Sequence, residues 1–276
     1  MRQSYLSDDD PLSYSDSGAG LPVVFLHPTP LNGDYWQPMI ARLDGVRAIV
    51  PDLRGHGHSY LGQKLQPGAF ARVPDAPVLT MAQFASDVLT LLDLLNVREA
   101  AFAGCSIGGY VLLELWRRAP ERIRGLTFVC SKPQPDTEAN LQRRAAIIAQ
   151  ARAEGVGKLF DGMAQNLVGA TSRQRQREMV AKVRSQMSLT VDALIAVQAG
   201  LAVRPDSEPT VSSITKPVLA IAGGEDSSVT PGEMEAFCAA PGGCSSIIVH
   251  DAGHLAAFEQ PEKIAALMAP WLGHFR

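Results

Sequence analysis

A serine enclosed by glycines lies in the segment A-F-A-G-C-S-I-G-G-Y, residues 101–110. Gly104 and Gly108 stand two residues to either side of Ser106, after an apolar run and before a run of helical character. A tight strand-to-helix turn would explain the pattern without any chemistry. Alternatively, the turn is strained and presents the hydroxyl as a nucleophile. We favour the second interpretation, because the start of the following helix would point free N–H groups at whatever reacts with Ser106.

A serine hydroxyl is a poor nucleophile until a base removes its proton. Among the six histidines, His254 is the best candidate, because it follows the last apolar run and precedes the last helical segment. A carboxylate must then orient the imidazole. Asp226, just after the apolar run 217–223, completes the chain order nucleophile, acid, base. Asp136 and Glu225 remain alternatives for the acid.

An oxyanion would need two backbone N–H donors. Ile107, the residue after the candidate nucleophile, can supply one of them. The other is expected in the loop that follows the apolar run ending at His27. Pro28 and Pro30 have no N–H, so Thr29 is the candidate there. His27 itself is expected to line the site or to hold this loop.

The elements that must position these residues alternate along the chain. Near-continuous apolar runs predict buried parallel strands. These runs cover residues 22–27, 47–52, 100–105, 125–130, 217–223 and 246–250. Segments such as 81–95 and 107–118 have helical periodicity, and residues 14–20 are interpreted as a turn after a weaker antiparallel strand. Strand–helix–strand alternation predicts an α/β fold with a mostly parallel, doubly wound sheet.

One long segment, residues 133–210, contains helical patterns and no convincing strand. It predicts a helical lid inserted between two strands, with residues 1–132 and 211–276 forming the α/β core. A decoration without function is the alternative. Apolar lid residues are candidates for a small substrate pocket, although packing inside the lid is their commoner fate. These candidates are Phe160, Met163, Leu167, Met179 and Met187. Trp36 is a further candidate for substrate binding, or else a structural anchor.

Composition excludes several classes of function. The 276 residues are 46% hydrophobic and carry a net charge of −3, with a pI of about 6.1, which argues against nucleic-acid binding. No apolar run approaches the roughly 18 residues of a membrane span, and the N-terminus lacks the apolar core of a signal peptide. We therefore expect a cytoplasmic monomer or homodimer acting on a small molecule. Cys238 and Cys244, six residues apart, could form a disulfide, and their spacing matches no zinc site.

Five stretches of this chain resemble the α/β-hydrolase superfamily, and together they span nearly its full length. They are residues 26–36, 51–59, 104–109, 223–231 and 251–262. They look most like lidded esterases and the similar cofactor-free haloperoxidases and lactone hydrolases. Two departures matter. The family usually has His-Gly where this chain has His27-Pro28, and Asp226 lies five residues before Pro231 rather than four. Counting back from the proline would put Ser227 in the acid position, but a serine cannot take that role.

The resemblance implies a serine hydrolase that cleaves carboxylic esters of small to medium acyl chains through an acyl-enzyme. Ser106 would attack, His254 would transfer the proton, and Asp226 would orient His254. No metal or organic cofactor is implied. A lactonase or C–C bond hydrolase would use the same three residues, as would a hydroxynitrile lyase or a perhydrolase. A receptor on this fold with slow or no turnover is the alternative from another class. Halide displacement is not expected, because the dehalogenases of this fold use an aspartate where this chain has Ser106.

Overall fold

The computed structural model describes residues 2–63 and 65–276. Ten strands are present in this part of the chain. They are β1 (Arg2–Ser7), β2 (Asp10–Gly18), β3 (Leu21–Leu26), β4 (Val46–Pro51), β5 (Gln66–Pro67), β6 (Pro77–Val78), β7 (Ala100–Cys105), β8 (Ile123–Val129), β9 (Val218–Gly223) and β10 (Cys244–Val249). Eight of them form one sheet in the order β1-β2-β4-β3-β7-β8-β9-β10, and β5 pairs with β6. All six runs expected to be buried strands are strands of the large sheet, but β10 lies at its edge and Val249 is its one buried residue.

In the order of the large sheet, neighbouring strands from β4 to β10 (β4, β3, β7, β8, β9 and β10) pair in parallel. Strands β1 and β2 pair antiparallel at one edge. The central strands β7 and β9 are buried along their whole length, which explains their unbroken apolar sequence. The expected mostly parallel α/β fold is confirmed. Because neighbouring parallel strands end at one edge of the sheet, the residues after β7, β9 and β10 can meet there.

The prediction of a turn over residues 14–20 was wrong for most of its length. Residues Tyr14 to Gly18 belong to β2 and pair with β4. The polar side chains that suggested a turn are accommodated across the strands, because Asp16 accepts a 2.6 Å hydrogen bond from Arg47 of β4. An ion pair between neighbouring strands therefore compensates for the low strand propensity of this sequence.

Helices connect the strands. They are α1 (Gln37–Ile40), α2 (Met81–Leu94), α3 (Ile107–Arg118), α4 (Glu138–Glu154), α5 (Gly157–Leu167), α6 (Ala170–Arg175), α7 (Met179–Ser185), α8 (Val191–Ala202), α9 (Glu208–Val211), α10 (Pro231–Met234), α11 (Ala256–Glu259) and α12 (Pro261–Gly273). Helix α2 begins where Thr80 accepts a hydrogen bond from the N–H of Gln83, the N-cap contact that threonine commonly makes. Helix α3 follows β7 with only Ser106 between them.

Helices α4 to α9 all lie between β8 and β9 in the chain, the position predicted for the lid. Helix α4 packs on α8 through a small apolar cluster separate from the main core. This cluster includes Ile148 of α4 and Ile195 of α8, together with Phe70 and Val78 from the long connection before α2. Whether the segment acts as a lid stays a prediction.

Within residues 2–63 and 65–276, no helix is both long enough and apolar enough to cross a bilayer.

Cys238 and Cys244 are free thiols whose sulfur atoms lie 2.6 Å apart, so their bridging remains a hypothesis. Burial and the neighbouring Cys238 raise the pKa of Cys244 to about 12.

Candidate active site

Ser106 occupies the turn between β7 and α3 with a strained backbone, at φ +53° and ψ −116°. Residues other than glycine adopt such a conformation rarely, at a cost of about 1–3 kcal/mol. Its neighbours hold it in place. The N–H of Ser106 donates to the carbonyl of Val129 at 3.1 Å, and the hydroxyl of Ser131 donates to the carbonyl of Ser106 at 2.9 Å. The strain therefore persists because β8 and the residues after it fix the turn.

The flanking glycines allow the turn to pack this tightly. A Cβ atom added to Gly104 would lie 2.5 Å from the carbonyl carbon of Gly108, and one added to Gly108 would lie 2.3 Å from the carbonyl oxygen of Leu26. No side chain fits at either position unless the backbone moves. The glycine pattern around Ser106 thus has a steric cause, the close approach of α3 to β7 and β3.

His254 and Asp226 are hydrogen-bonded partners at the ends of neighbouring strands. Nδ1 of His254 donates to Oδ2 of Asp226 at 2.7 Å, which directs the other ring nitrogen, Nε2, away from the carboxylate. The second carboxylate oxygen accepts N–H groups from Ser228 at 2.7 Å and Val229 at 3.1 Å. Burial lowers the pKa of His254, but the charge and hydrogen bond of Asp226 outweigh burial and raise it above its ordinary value.

The alternative acids have other partners. Asp136 forms ion pairs with Arg144 and Arg204, and Glu225 accepts hydrogen bonds from the N–H and the hydroxyl of Thr171. Among the acids weighed from sequence, Asp226 is the one bonded to His254. The longer spacing to Pro231 leaves this contact intact.

A buried carboxylate that sequence reasoning missed, Glu259, holds the backbone around His254. Its oxygens accept N–H groups from Gly253 at 3.1 Å and Leu255 at 3.2 Å, the residues on either side of the histidine. The same carboxylate accepts the N–H of Gly169 at 2.9 Å. Glu259 therefore ties the His254 loop to the helical segment. The sequence gives only a weak signal for this role of Glu259. The signal is a single acidic residue in the otherwise apolar stretch L-A-A-F-E.

Replacing Glu259 by glutamine should destabilise the protein by roughly 2–4 kcal/mol, because both carboxylate oxygens are in use and an amide supplies only one acceptor. At least one buried N–H would then face an NH₂ group. Chemical denaturation, followed by circular dichroism, measures the change in the free energy of unfolding.

The control for this variant is Glu262→Gln. Glu262 lies three residues further on, and its side chain is 67% exposed and pairs with Arg42 at the surface. Exposed pairs contribute little, so this change should cost less than about 1 kcal/mol. Equal stabilities for the two variants would contradict an anchoring role for Glu259.

A cavity of ≈ 200 Å³ opens beside Ser106 and His254. Its lining combines residues of the strand ends with residues of the helical segment. The lining residues are Thr29, Pro30, Ser106, Tyr110, Lys132, Asp136, Asn140, Arg143, Arg144, Ile147, Met163, Leu167, Leu194, Gln198, Leu201, Ser227, Ser228, Val229 and His254. The segment between β8 and β9 therefore supplies about half of the wall around the candidate nucleophile.

Five of the predicted site residues line this cavity. Thr29, Met163 and Leu167 line it together with the serine and histidine. Ile107 is the first residue of α3, where the N–H groups have no partner inside the helix. Asp226 lies behind His254 with its side chain fully buried.

Three residues predicted to bind substrate do not line the cavity, and packing explains each case. His27 is buried, and its Nε2 accepts the N–H of Leu53 at 2.9 Å. Burial lowers the pKa of His27 to about 4, which suits a neutral structural residue. Trp36 packs against Phe25 and Tyr35 in the core.

Phe160, the third of these residues, is 1% exposed. The guanidinium group of Arg184 covers one face of its ring, 5.5 Å from the centroid. Met179 and Met187, the other two lid residues that were candidates for the substrate pocket, are also buried in the core and do not line the cavity. The expected apolar pocket wall is therefore only partly present, through Met163 and Leu167.

His56, in the turn that follows β4, holds the loop that carries Thr29. Its Nε2 lies 2.9 Å from the Thr29 hydroxyl, and its Nδ1 lies 3.0 Å from the carbonyl of Arg54. Burial lowers the pKa of His56 to about 3, so the ring is neutral. Nδ1 then donates to the Arg54 carbonyl, and Nε2 accepts from the threonine. This pairing fixes the side chain of Thr29, a residue that lines the cavity.

A mostly parallel eight-stranded sheet with a strained serine at a strand-to-helix turn is the arrangement of an α/β hydrolase. The chain belongs to the alpha/beta hydrolase family, whose sequence profile matches residues 23–267. Membership supports hydrolase activity and leaves the substrate open.

Known relatives include both esterases and lactonases. The chain is 27% identical to 3-oxoadipate enol-lactonase 1 of Acinetobacter baylyi over 250 residues, 90% of this chain and 86% of the relative. It is 27% identical to the pimeloyl-[acyl-carrier protein] methyl ester esterase of Methylococcus capsulatus over 258 residues, 91% and 94% of the two chains. The structure of a thermophilic esterase from Thermogutta terrifontis, with malate bound, superposes with a TM-score of 0.88 at 30% identity and covers 99% of this chain and 98% of that one.

Proposed function

We propose that this protein is a serine hydrolase that cleaves carboxylic esters through an acyl-enzyme intermediate. The observation that carries the proposal is the strained Ser106 opening into the cavity that His254 also lines, with His254 held by Asp226 at 2.7 Å. A nucleophile, a base and an acid that orients the base are the groups that acyl transfer requires.

The proposed reaction uses these groups in order. The hydroxyl of Ser106 attacks the ester carbonyl while Nε2 of His254 takes its proton. Asp226 stabilises the imidazolium that forms. The N–H groups of Ile107 and Thr29 stabilise the oxyanion. His254 then protonates the leaving alcohol, and water hydrolyses the acyl-enzyme by the same route.

The helical segment is proposed to act as the lid that selects the substrate, because α4, α5 and α8 supply much of the cavity wall. A cavity of ≈ 200 Å³ favours a small or medium acyl chain. A lactonase is the second candidate. It is favoured by the similarity to an enol-lactonase over 90% of this chain, and it would use the same chemistry on a cyclic ester.

The test is hydrolysis of p-nitrophenyl esters from acetate to laurate, alongside a panel of lactones of similar size. We expect turnover that is fastest for short chains and falls toward laurate, because longer chains outgrow the cavity. Covalent labelling by a fluorophosphonate, located at Ser106 by mass spectrometry, reports the nucleophile independently of the substrate. Absence of both turnover and labelling would refute the proposal and would favour a ligand receptor.

A further inference from the structure

One face of helix α4 forms a polar wall of the cavity. Asn140, Arg143, Arg144 and Ile147 all line it, and their spacing of three, four and seven residues puts them on one side of a helix. Three of these four side chains are polar and two are cationic. The wall therefore differs from the apolar surface that most small-molecule pockets present.

The charges on this wall do not cancel. Asp136 is the sole carboxylate among the described residues that line the cavity, and two guanidinium groups share it. Arg204 donates to its Oδ1 at 2.6 Å, and Arg144 binds both of its oxygens. The three side chains together carry one positive charge, and all are mostly buried.

Two more basic side chains line the cavity, one of them paired with a carboxylate outside it. Lys132, with a side chain 7% exposed, reaches the cavity and pairs with Glu233, a residue that does not line it. Arg143 lies at the exposed rim and adds a full charge there. Gln198 of α8 also lines the cavity and accepts a guanidinium N–H of Arg144 at 2.9 Å, so the orientation of that guanidinium is fixed.

We propose that this wall of α4 binds a free carboxylate of the substrate, so that the preferred substrates are esters or lactones bearing one negative charge. The inference rests on the proposed function and adds the class of its substrate. Guanidinium groups bind carboxylates through paired hydrogen bonds, and a partly enclosed cavity strengthens the attraction relative to water. The catalytic groups at the strand ends leave this wall free for recognition.

The experiment compares esters that differ only in charge. Monomethyl esters of dicarboxylic acids carry the carboxylate on the acyl side, and acyl esters of glycolate carry it on the alcohol side. The dimethyl esters and the glycolate methyl esters are their neutral counterparts. We expect kcat/KM for one anionic series to exceed that of its neutral counterpart by tenfold or more, and this preference should fall in 0.5 M NaCl. The series that shows it identifies the side on which the carboxylate is bound.

The variant Arg143→Gln/Arg144→Gln should lower the ratio of anionic to neutral kcat/KM at least tenfold, mainly through KM. Its control is Arg152→Gln on the same helix, since Arg152 pairs with Asp75 and does not line the cavity. The control should keep the wild-type ratio. Equal rates on charged and neutral esters in wild type would overturn the proposal while leaving the esterase function in place.

If no ester is hydrolysed, binding still decides the question. Calorimetry with glutarate and with neutral glutaramide, on wild type and on the double variant, measures recognition without turnover. Glutarate binding that depends on Arg143 and Arg144 would support the carboxylate site even if the proposed esterase function failed. Failure of glutarate to bind more tightly than glutaramide would refute the site.

Discussion

Substitution of Ser106 by alanine is expected to lower kcat on the best ester by roughly 10⁴–10⁶-fold, because the acyl-enzyme can no longer form. The variant should also lose the burst of released alcohol that precedes steady turnover, as well as its labelling by fluorophosphonate. Rapid-mixing kinetics with a p-nitrophenyl ester measures both the burst and kcat. A variant that keeps more than a tenth of the wild-type rate would show that Ser106 is not the nucleophile.

A second substitution at Ser106, to glycine, tests whether the turn is strained. Alanine retains the strain at φ +53° and ψ −116°, whereas Ser106→Gly relieves it at little steric cost. Both variants should be inactive, and the glycine variant should be more stable than the alanine variant by about 1 kcal/mol. If the alanine variant were the more stable, the turn would not be strained in solution.

Substitution of Asp226 by asparagine is expected to lower kcat by roughly 10³–10⁴-fold, because the amide favours the wrong tautomer of His254. It should also change the pH dependence. In the wild type, burial lowers the pKa of His254 but Asp226 raises it above the ordinary value. Since the base must be neutral, activity falls as the pH drops through that pKa. Without Asp226 the pKa falls, and the acid limb of the pH–rate profile should move to lower pH.

Two matched aspartates test the assignment. Asp251 lies three residues before His254 and pairs with Lys263 at 2.6 Å, so Asp251→Asn should leave the profile unchanged. Asp136→Asn should reduce stability by a few kcal/mol, because two buried guanidinium groups would lose their shared partner. An acid limb displaced by Asp136→Asn and not by Asp226→Asn would make Asp136 the acid.

The α4 wall connects these catalytic predictions to substrate choice. The groups proposed for bond cleavage follow β3, β7, β9 and β10, whereas Arg143 and Arg144 belong to helix α4. Variants of the first group should lower kcat on every substrate. Variants of Arg143 and Arg144 should change the ratio between substrates instead. This separation allows chemistry and recognition to be measured independently.

The sequence by itself predicted six of the eight strands of the large sheet and the positions of Ser106, Asp226 and His254 after three of them. The sequence signals for these features lie within short segments of the chain. Apolar runs mark buried strands, and glycines beside Ser106 mark a close approach of backbone to backbone. Asp226 and His254 follow strands that end at the same edge, so their contact follows from the order of the strands. Residues 14–18 escaped this reasoning, because a cross-strand ion pair compensates for their polar character.

Only the tertiary structure decided which side chains line the cavity. Phe160 and Met163 lie three residues apart on α5, yet the first is buried and the second lines the cavity. Which of these two side chains is buried and which lines the cavity depends on how α5 packs on its neighbours. Arg143 and Arg144 resemble surface residues in the sequence and reach the cavity because α4 packs on α8. Contacts between residues far apart in the chain determine these positions. A local sequence pattern carries no information about such contacts.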